Sequence, residues 1–214
     1  LLRESHWQYT FGDDIHRKYT DPLIEEDLRT FLAAQYKDKK LTASEVDGIV
    51  ANLRNTGGQN DYYALQNTFL LYRDGYDFTY SDGRDNPFRL EYIDFEHPDH
   101  NIFRCVNQFV MEQGRENRRP DILLFVNGTP VCIIELKNPT KQNATMRDAH
   151  TQICTRYMRD IPSLLKYCAL AVISDGAKNA LGSTYTPFEF FYEWKKINNE
   201  DKAGKGLDTL RTLI

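Results

Sequence analysis

The sequence predicts an α/β fold, a mixed central sheet flanked by helices behind a helical N-terminal part, and three observations carry this. Apolar residues recur at three-to-four spacing between Pro22 and Tyr72, the period drops to two near Gly75, and two apolar runs then flank Asn127-Gly128. At 214 residues the chain can form one large domain, or one domain with a helical appendage.

Leu23, Leu28, Phe31 and Leu32 form one helical stripe, and Val46, Ile49, Val50 and Leu53 a second. Gly57-Gly58 breaks the run, and Asp61 is placed as the cap of a third helix reaching Tyr72. Tyr76, Phe78 and Tyr80 alternate with polar residues, and Asp82-Gly83 supplies a turn, so residues 76–80 and 89–95 are expected to pair as strands. Residues 102–111 form a further strand, followed by a charged link over 112–119. The runs 122–126 and 131–136 read as a hairpin, and Asn138-Pro139 ends it. A helix over about 144–160 carries Met146, Ala149, Ile153 and Tyr157 on one stripe, and Pro162 bounds it. Residues 167–174 form another buried strand, and the spacing of Phe188, Phe191, Trp194 and Ile197 predicts a last helix. The organisation expected is a helical part over 1–58, a core over 59–197, and a linker or helix start over 198–214; the chain reads as a fragment of something longer.

There is no apolar run of membrane-spanning length and no signal-peptide pattern, so a cytoplasmic address is expected, with no membrane partner. Cys105, Cys132, Cys154 and Cys168 form no C-x2-C pair and read as buried reduced thiols, while His97 and His100 could form half a metal site but read rather as part of a surface turn. The formal charge of −4 argues weakly against a nucleic-acid partner, but its distribution is uneven. Residues 104–166 hold ten basic against six acidic side chains, about +4, which leaves about −8 for the rest.

Within that basic segment, Asp121, Glu135 and Lys137 form a set suited to phosphodiester hydrolysis. Carboxylates can hold a divalent cation that polarises a phosphate and acidifies a bound water, and a nearby lysine can handle that water. Glu135 and Lys137 are two apart on a strand, so both side chains leave the same face, about 7 Å apart. Glu-x-Lys is a common pattern, and Asp175 with Glu193-Trp194-Lys195 repeats the letters; there a helical pattern would splay the two side chains about 200° apart. Glu135 and Lys137 instead interrupt a buried run, where charges need partners.

Strand parity gives a test. A plain two-residue turn at Asn127-Gly128 would put Asp121 and Glu135 on opposite faces. A three-residue loop over 126–128, or an equivalent bulge, with Gly128 at positive φ, puts Asp121, Glu135 and Lys137 on one face. On the following helix, Asp148, Gln152, Arg156 and Arg159 share a face that either contacts a phosphate backbone or is simply solvated.

The stretch Arg118-Arg119-Pro120-Asp121-Ile122-Leu123-Leu124-Phe125-Val126-Asn127-Gly128, followed by Ile134-Glu135-Leu136-Lys137-Asn138-Pro139, resembles the N-terminal nuclease module of the restriction (R) subunit of type I restriction-modification enzymes, a branch of the PD-(D/E)xK nucleases. The likeness covers roughly residues 60–197 and includes Ile93-Asp94-Phe95, Asn101-Ile102-Phe103, Val106-Asn107-Gln108-Phe109 and Ile173-Ser174-Asp175-Gly176. The resemblance implies a PD-(D/E)xK restriction-endonuclease-like core, Mg2+ held by Asp121, Glu135 and the Leu136 carbonyl with Mn2+ as a substitute, and Lys137 assisting the attacking water. It implies that Gln152 and Tyr157 match the family's Gln-x3-Tyr signature. Here the spacing is Gln-x4-Tyr, which on an α-helix is about 140° of rotation and places Arg156 where the tyrosine is expected.

Arg118, Arg119, Arg156 and Arg159 are the candidate DNA contacts, and Glu25 or Glu26 could supply the N-terminal-helix glutamate that such nucleases often add. The resemblance further implies double-stranded DNA as substrate, methyltransferase (M) and specificity (S) subunits as partners, cleavage without base reading, and an ATP-driven motor in the intact subunit. The chain itself has no G-x-x-x-x-G-K-[ST] motif, so no ATP is expected on it. A RecB-like exonuclease relative and a non-cleaving DNA- or subunit-docking module are the rival readings.

Overall fold

A computed structural model of the chain describes residues 7–84, 87–138 and 145–194. The N-terminal strand β1 (Gln8–Phe11) is followed by α1 (Glu25–Gln35), α2 (Ala43–Asn55) and α3 (Asp61–Asp74). Asn60, not Asp61, caps α3, its side chain accepting from the Tyr63 N–H at 3.1 Å; one residue earlier the backbone is still extended, as a cap requires. The expected strand pair is present as β2 (Tyr76–Phe78) against β3 (Phe88–Leu90), a small sheet of its own.

Among the described residues the main sheet has seven strands in the order β1, β4 (Phe103–Asn107), β7 (Ile122–Val126), β8 (Thr129–Leu136), β9 (Leu170–Ser174), β10 (Asn179–Gly182) and β11 (Tyr192–Glu193). It is mixed: β1 and β4 are parallel, β8 and β9 are parallel, and the remaining neighbours are antiparallel. Two expectations change here. The strand over 102–111 breaks at Gln108, whose backbone turns to φ 56°, and the charged link after it is a second small hairpin, β5 (Met111–Gln113) with β6 (Glu116–Arg118). The helix expected from Phe188 is instead a 3-10 turn, Phe188–Phe190, leading into β11; Glu193 pairs with Ala180, and the edge of the sheet overrides the local helical spacing. Lys195, Ile197 and the segment 198–214 lie outside the described residues, as does Pro139.

Between the parallel strands runs α4 (Met146–Thr151), continuing as a π-helical turn (Gln152–Tyr157) into α5 (Met158–Asp160) and, after Ile161, α6 (Pro162–Leu165). One core joins this helical layer to the sheet: Ala149, Ile153, Tyr157 and Leu164 pack on Val106, Leu123, Phe125, Ile133 and Ile173. The opposite face of the sheet holds Cys105, Leu124, Cys132, Ile134 and Val172, and Cys168 is buried in the first core; all four cysteines are free thiols. A third cluster packs α1, α2 and the β2/β3 pair together and takes in Val126 and Tyr167. Arg104 of β4 forks onto Asp27 of α1 with both bonds at 2.7 Å, tying the helices to the sheet.

The β7/β8 hairpin differs from the preferred loop but keeps its consequence. Val126 pairs with Thr129, so the turn has two residues, with Asn127 at φ 50° and Gly128 at φ 74°, the type I′ pattern. The register then slips: Phe125 faces Pro130 but Leu124 faces Cys132, leaving Val131 as an extra, bulged residue. Pro130 has no N–H for the ladder, which explains why the bulge sits beside it. Gly128 is required twice over, because a Cβ there would lie 2.1 Å from the Ile24 carbonyl oxygen where the turn meets the start of α1.

Candidate active site

The bulge restores the parity the site needs. With Ile122 opposite Ile134, Asp121 and Glu135 stand opposite one another at the open end of the hairpin, on the face covered by the π-turn. Asp121 is held by two strands: its Oδ2 accepts from the Leu136 N–H at 2.9 Å, and its Oδ1 accepts from the Gln108 amide at 3.3 Å. Lys137 lies one residue past β8 and stays in register through its N–H to the Ser174 carbonyl at 2.7 Å.

Four side chains close a ring of hydrogen bonds. Lys137 Nζ donates to Glu135 Oε1 at 3.1 Å and to Gln152 Oε1 at 2.6 Å. Gln152 Nε2 donates to the Tyr157 hydroxyl at 2.6 Å, and that hydroxyl donates to Glu135 Oε2 at 3.4 Å. The donors fix the glutamine's orientation, because an ammonium can only donate. Glu135 is 2% exposed. Burial, and secondarily the charge of Asp121, raise its carboxyl from 4.5 to about 7, with Lys137 opposing the shift. Burial and the same carboxylates push the Tyr157 hydroxyl upward.

The 140° separation that an α-helix would give Gln152 and Tyr157 does not apply, because the segment is a π-turn. The Met158 N–H reaches back five residues to the Ile153 carbonyl, and this wider turn stacks residues five apart. It also dissolves the common face of Asp148, Gln152, Arg156 and Arg159. Asp148 closes a capping box with Thr145, Gln152 turns inward, and Arg156 points out exposed.

Arg118 and Arg159 both bind the buried Asp160, at 2.7 and 2.6 Å, and Arg118 also pairs with Glu116; Arg118 ties β6 to α5, while Arg159 pairs with its neighbour within α5. Arg119 and Arg156 are exposed and make no ion pair among the described residues. Glu25 binds Arg29 and Arg54, and exposed Glu26 follows it at the start of α1. That helix start abuts Gly128, at the far end of a hairpin roughly 17 Å long, so neither glutamate joins the site. Of the repeated letters elsewhere, Asp175 accepts from the N–H groups of Ala177 and Lys178 and closes its own turn.

A cleft of about 440 Å³ opens over Gln108, Asp121, Leu136 and Lys137. A larger one, about 980 Å³, lies between the 15–21 segment and α1 and is crossed by the Arg54 ion pairs to Asp21 and Glu25. Asp121 and Lys137 of the site line the smaller one. Gln108 was not singled out from the sequence; its place opposite Asp121, with its N–H on the Asp121 carbonyl at 2.9 Å, depends on the left-handed turn that ends β4.

Residues 1–190 match the family model described as "Type I restriction enzyme R protein N terminus". The chain belongs to this family. Among its relatives, the type I restriction enzyme HindI endonuclease subunit of Haemophilus influenzae is 30% identical over 225 residues, covering 100% of this chain and 21% of the relative. The putative type I restriction enzyme MjaIXP endonuclease subunit of Methanocaldococcus jannaschii is 39% identical over 115 residues, 52% of this chain and 11% of the relative. The EcoprrI endonuclease subunit of Escherichia coli is 32% identical over 133 residues, 58% of this chain and 40% of the relative. This R-protein N-terminal domain thus spans about a fifth of its full-length Haemophilus relative. Its mixed sheet flanked by helices is compatible with a PD-(D/E)xK-like nuclease core, and among the described residues no helix is long and apolar enough to cross a membrane.

Proposed function

We propose that this domain is the DNA-cleaving module of a type I restriction enzyme, hydrolysing phosphodiester bonds of double-stranded DNA without reading bases. The observation that carries the reading is the convergence of Asp121, Glu135 and Lys137 from two strands, with Gln152 and Tyr157 closing the ring.

The donor set fits a hard divalent cation of the Mg2+ type: two carboxylates oppose each other across one strand pair, and burial first, then the charge of Asp121, raises the Glu135 carboxyl. Asp121, Glu135 and the Leu136 carbonyl are the groups that would hold it. When bound, the ion would polarise the scissile phosphate and acidify a water. Lys137 has three N–H donors, and Glu135 and Gln152 take two of them. The third orients the attacking water or steadies the phosphate. Gln152, held by Tyr157, fixes the position of that ammonium, and Gln108 fixes Asp121. Base recognition, methyltransferase and specificity subunits, and ATP-driven translocation are assigned to the rest of the complex.

The test is Mg2+-dependent cleavage by the complete restriction complex carrying Lys137→Ala in this domain, with DNA binding measured in parallel. Cleavage should fall by about 10²–10⁴-fold with binding within a few fold of wild type. Unchanged cleavage in the variant would overturn the reading, and binding without cleavage in either protein would favour a docking module.

A further inference from the structure

A second cluster of ligating side chains lies at the other end of the β7/β8 hairpin. Asp94 is 3% exposed and organises the loop between β3 and β4. Its Oδ1 accepts from the N–H groups of Glu96 and His97, at 3.1 and 2.8 Å. Its Oδ2 accepts from the Gln35 amide of α1 at 2.9 Å. The same Oδ2 faces His100 Nδ1 at 3.0 Å and His97 Nδ1 at 3.6 Å. The two imidazoles stack at 4.9 Å with an 18° interplanar angle, and both Nδ1 atoms lie near the same carboxylate oxygen.

That crowding is the informative feature. A carboxylate oxygen offers about two lone pairs, and here Gln35 and two imidazole nitrogens compete for them. If each Nδ1 instead presents its lone pair, a rotation of the exposed rings out of their stack brings the three groups onto one ion. Ligand atoms about 2.0–2.1 Å from a tetrahedral ion lie roughly 3.3–3.4 Å from one another. The two Asp94–His separations, 3.0 and 3.6 Å, bracket that value, and one ligand atom from each residue lies within 4.8 Å of the others.

We propose that Asp94, His97 and His100 bind one borderline transition-metal ion of the Zn2+ class, with water completing the shell. Two imidazoles with one carboxylate favour Zn2+, Ni2+ or Cu2+ over Mg2+, so this site does not compete for the cation of the nuclease centre. The bonds that Gln35 donates to Asp94, and that Asn127 of the hairpin turn donates to Asn101, make the site a clasp between the loop, α1 and the sheet. Half-exposed histidines leave it open to exchange with solvent.

The test is titration of this chain with Zn2+ by calorimetry and with Co2+ by visible absorption, in the presence of excess Mg2+. Asp94 is a loop anchor whose loss could unfold the loop, so the variants are His97→Ala and His100→Ala, with Asp121→Ala as control. One equivalent should bind to wild type and to Asp121→Ala, and each histidine variant should weaken it by about tenfold or more. No bound equivalent in wild type, displacement by Mg2+, or binding unchanged in both histidine variants would overturn the proposal.

Discussion

Glu135 is where burial and charge collide at the residue scale. Its carboxyl is raised from 4.5 to about 7, chiefly by burial and then by Asp121, so between those values the folded chain keeps a proton that the unfolded chain has released. Stability contributed by this group is therefore full below about pH 4.5, declines as pH rises, and is gone above about 7, a swing of roughly 3 kcal/mol in divalent-free buffer. Glu135→Gln removes the titration. Urea unfolding of the variant should show a flatter pH profile and greater stability than wild type near pH 8; parallel profiles would show that Glu135 titrates normally. The strand position of this residue, its buried run and its pairing with Lys137 were all legible from spacing. The contribution of Gln108 was not, because a non-glycine residue in the left-handed region leaves no signature in the letters around it.

Two irregularities build the site at the scale of elements, one in a strand and one in a helix. Parity required a bulge or a longer loop, and Pro130 was the residue that decided between them: a proline cannot feed the ladder, so the extra residue falls at Val131 and the tight Asn127-Gly128 turn is kept. The π-turn had the opposite fate, since an α-helical rotation applied to Gln-x4-Tyr gives divergence where the actual turn gives a 2.6 Å bond. If the π-turn accommodates one extra residue, removing exposed Thr155 should let the helix relax to α geometry with Gln152 and the tyrosine still on one face. Deletion of Thr155 should leave unfolding free energy within about 1 kcal/mol of wild type and cleavage by the complex within about tenfold. A loss as large as that of Lys137→Ala would mean that the π geometry itself is required.

Across the whole molecule, the helical part and the sheet are joined by a shared core and by the Arg104–Asp27 fork, so the nuclease-like face stands on a rigid support. The broad α/β order was visible because hydrophobic period and turn chemistry agreed along most of the chain. The edge strands β1 and β11, and β10 beside the latter, were missed because short strands near a sheet margin are fixed by their neighbours more than by their own pattern. The same holds for charge: the basic segment was apparent, but which arginines are free depended on Asp160. Arg119→Glu and Arg156→Glu should each weaken DNA binding across all sequences and lower the salt slope by about 1. Arg118→Ala should act on stability instead. DNA titrations at several salt concentrations, beside urea unfolding, separate the two effects.

The most direct measurement is anomalous diffraction from crystals of this chain soaked in Mn2+. The account predicts a manganese peak shared by the carboxylates of Asp121 and Glu135 beside the Leu136 carbonyl, lost in Glu135→Gln. Strong manganese elsewhere on the chain, with none between those two carboxylates, would contradict it.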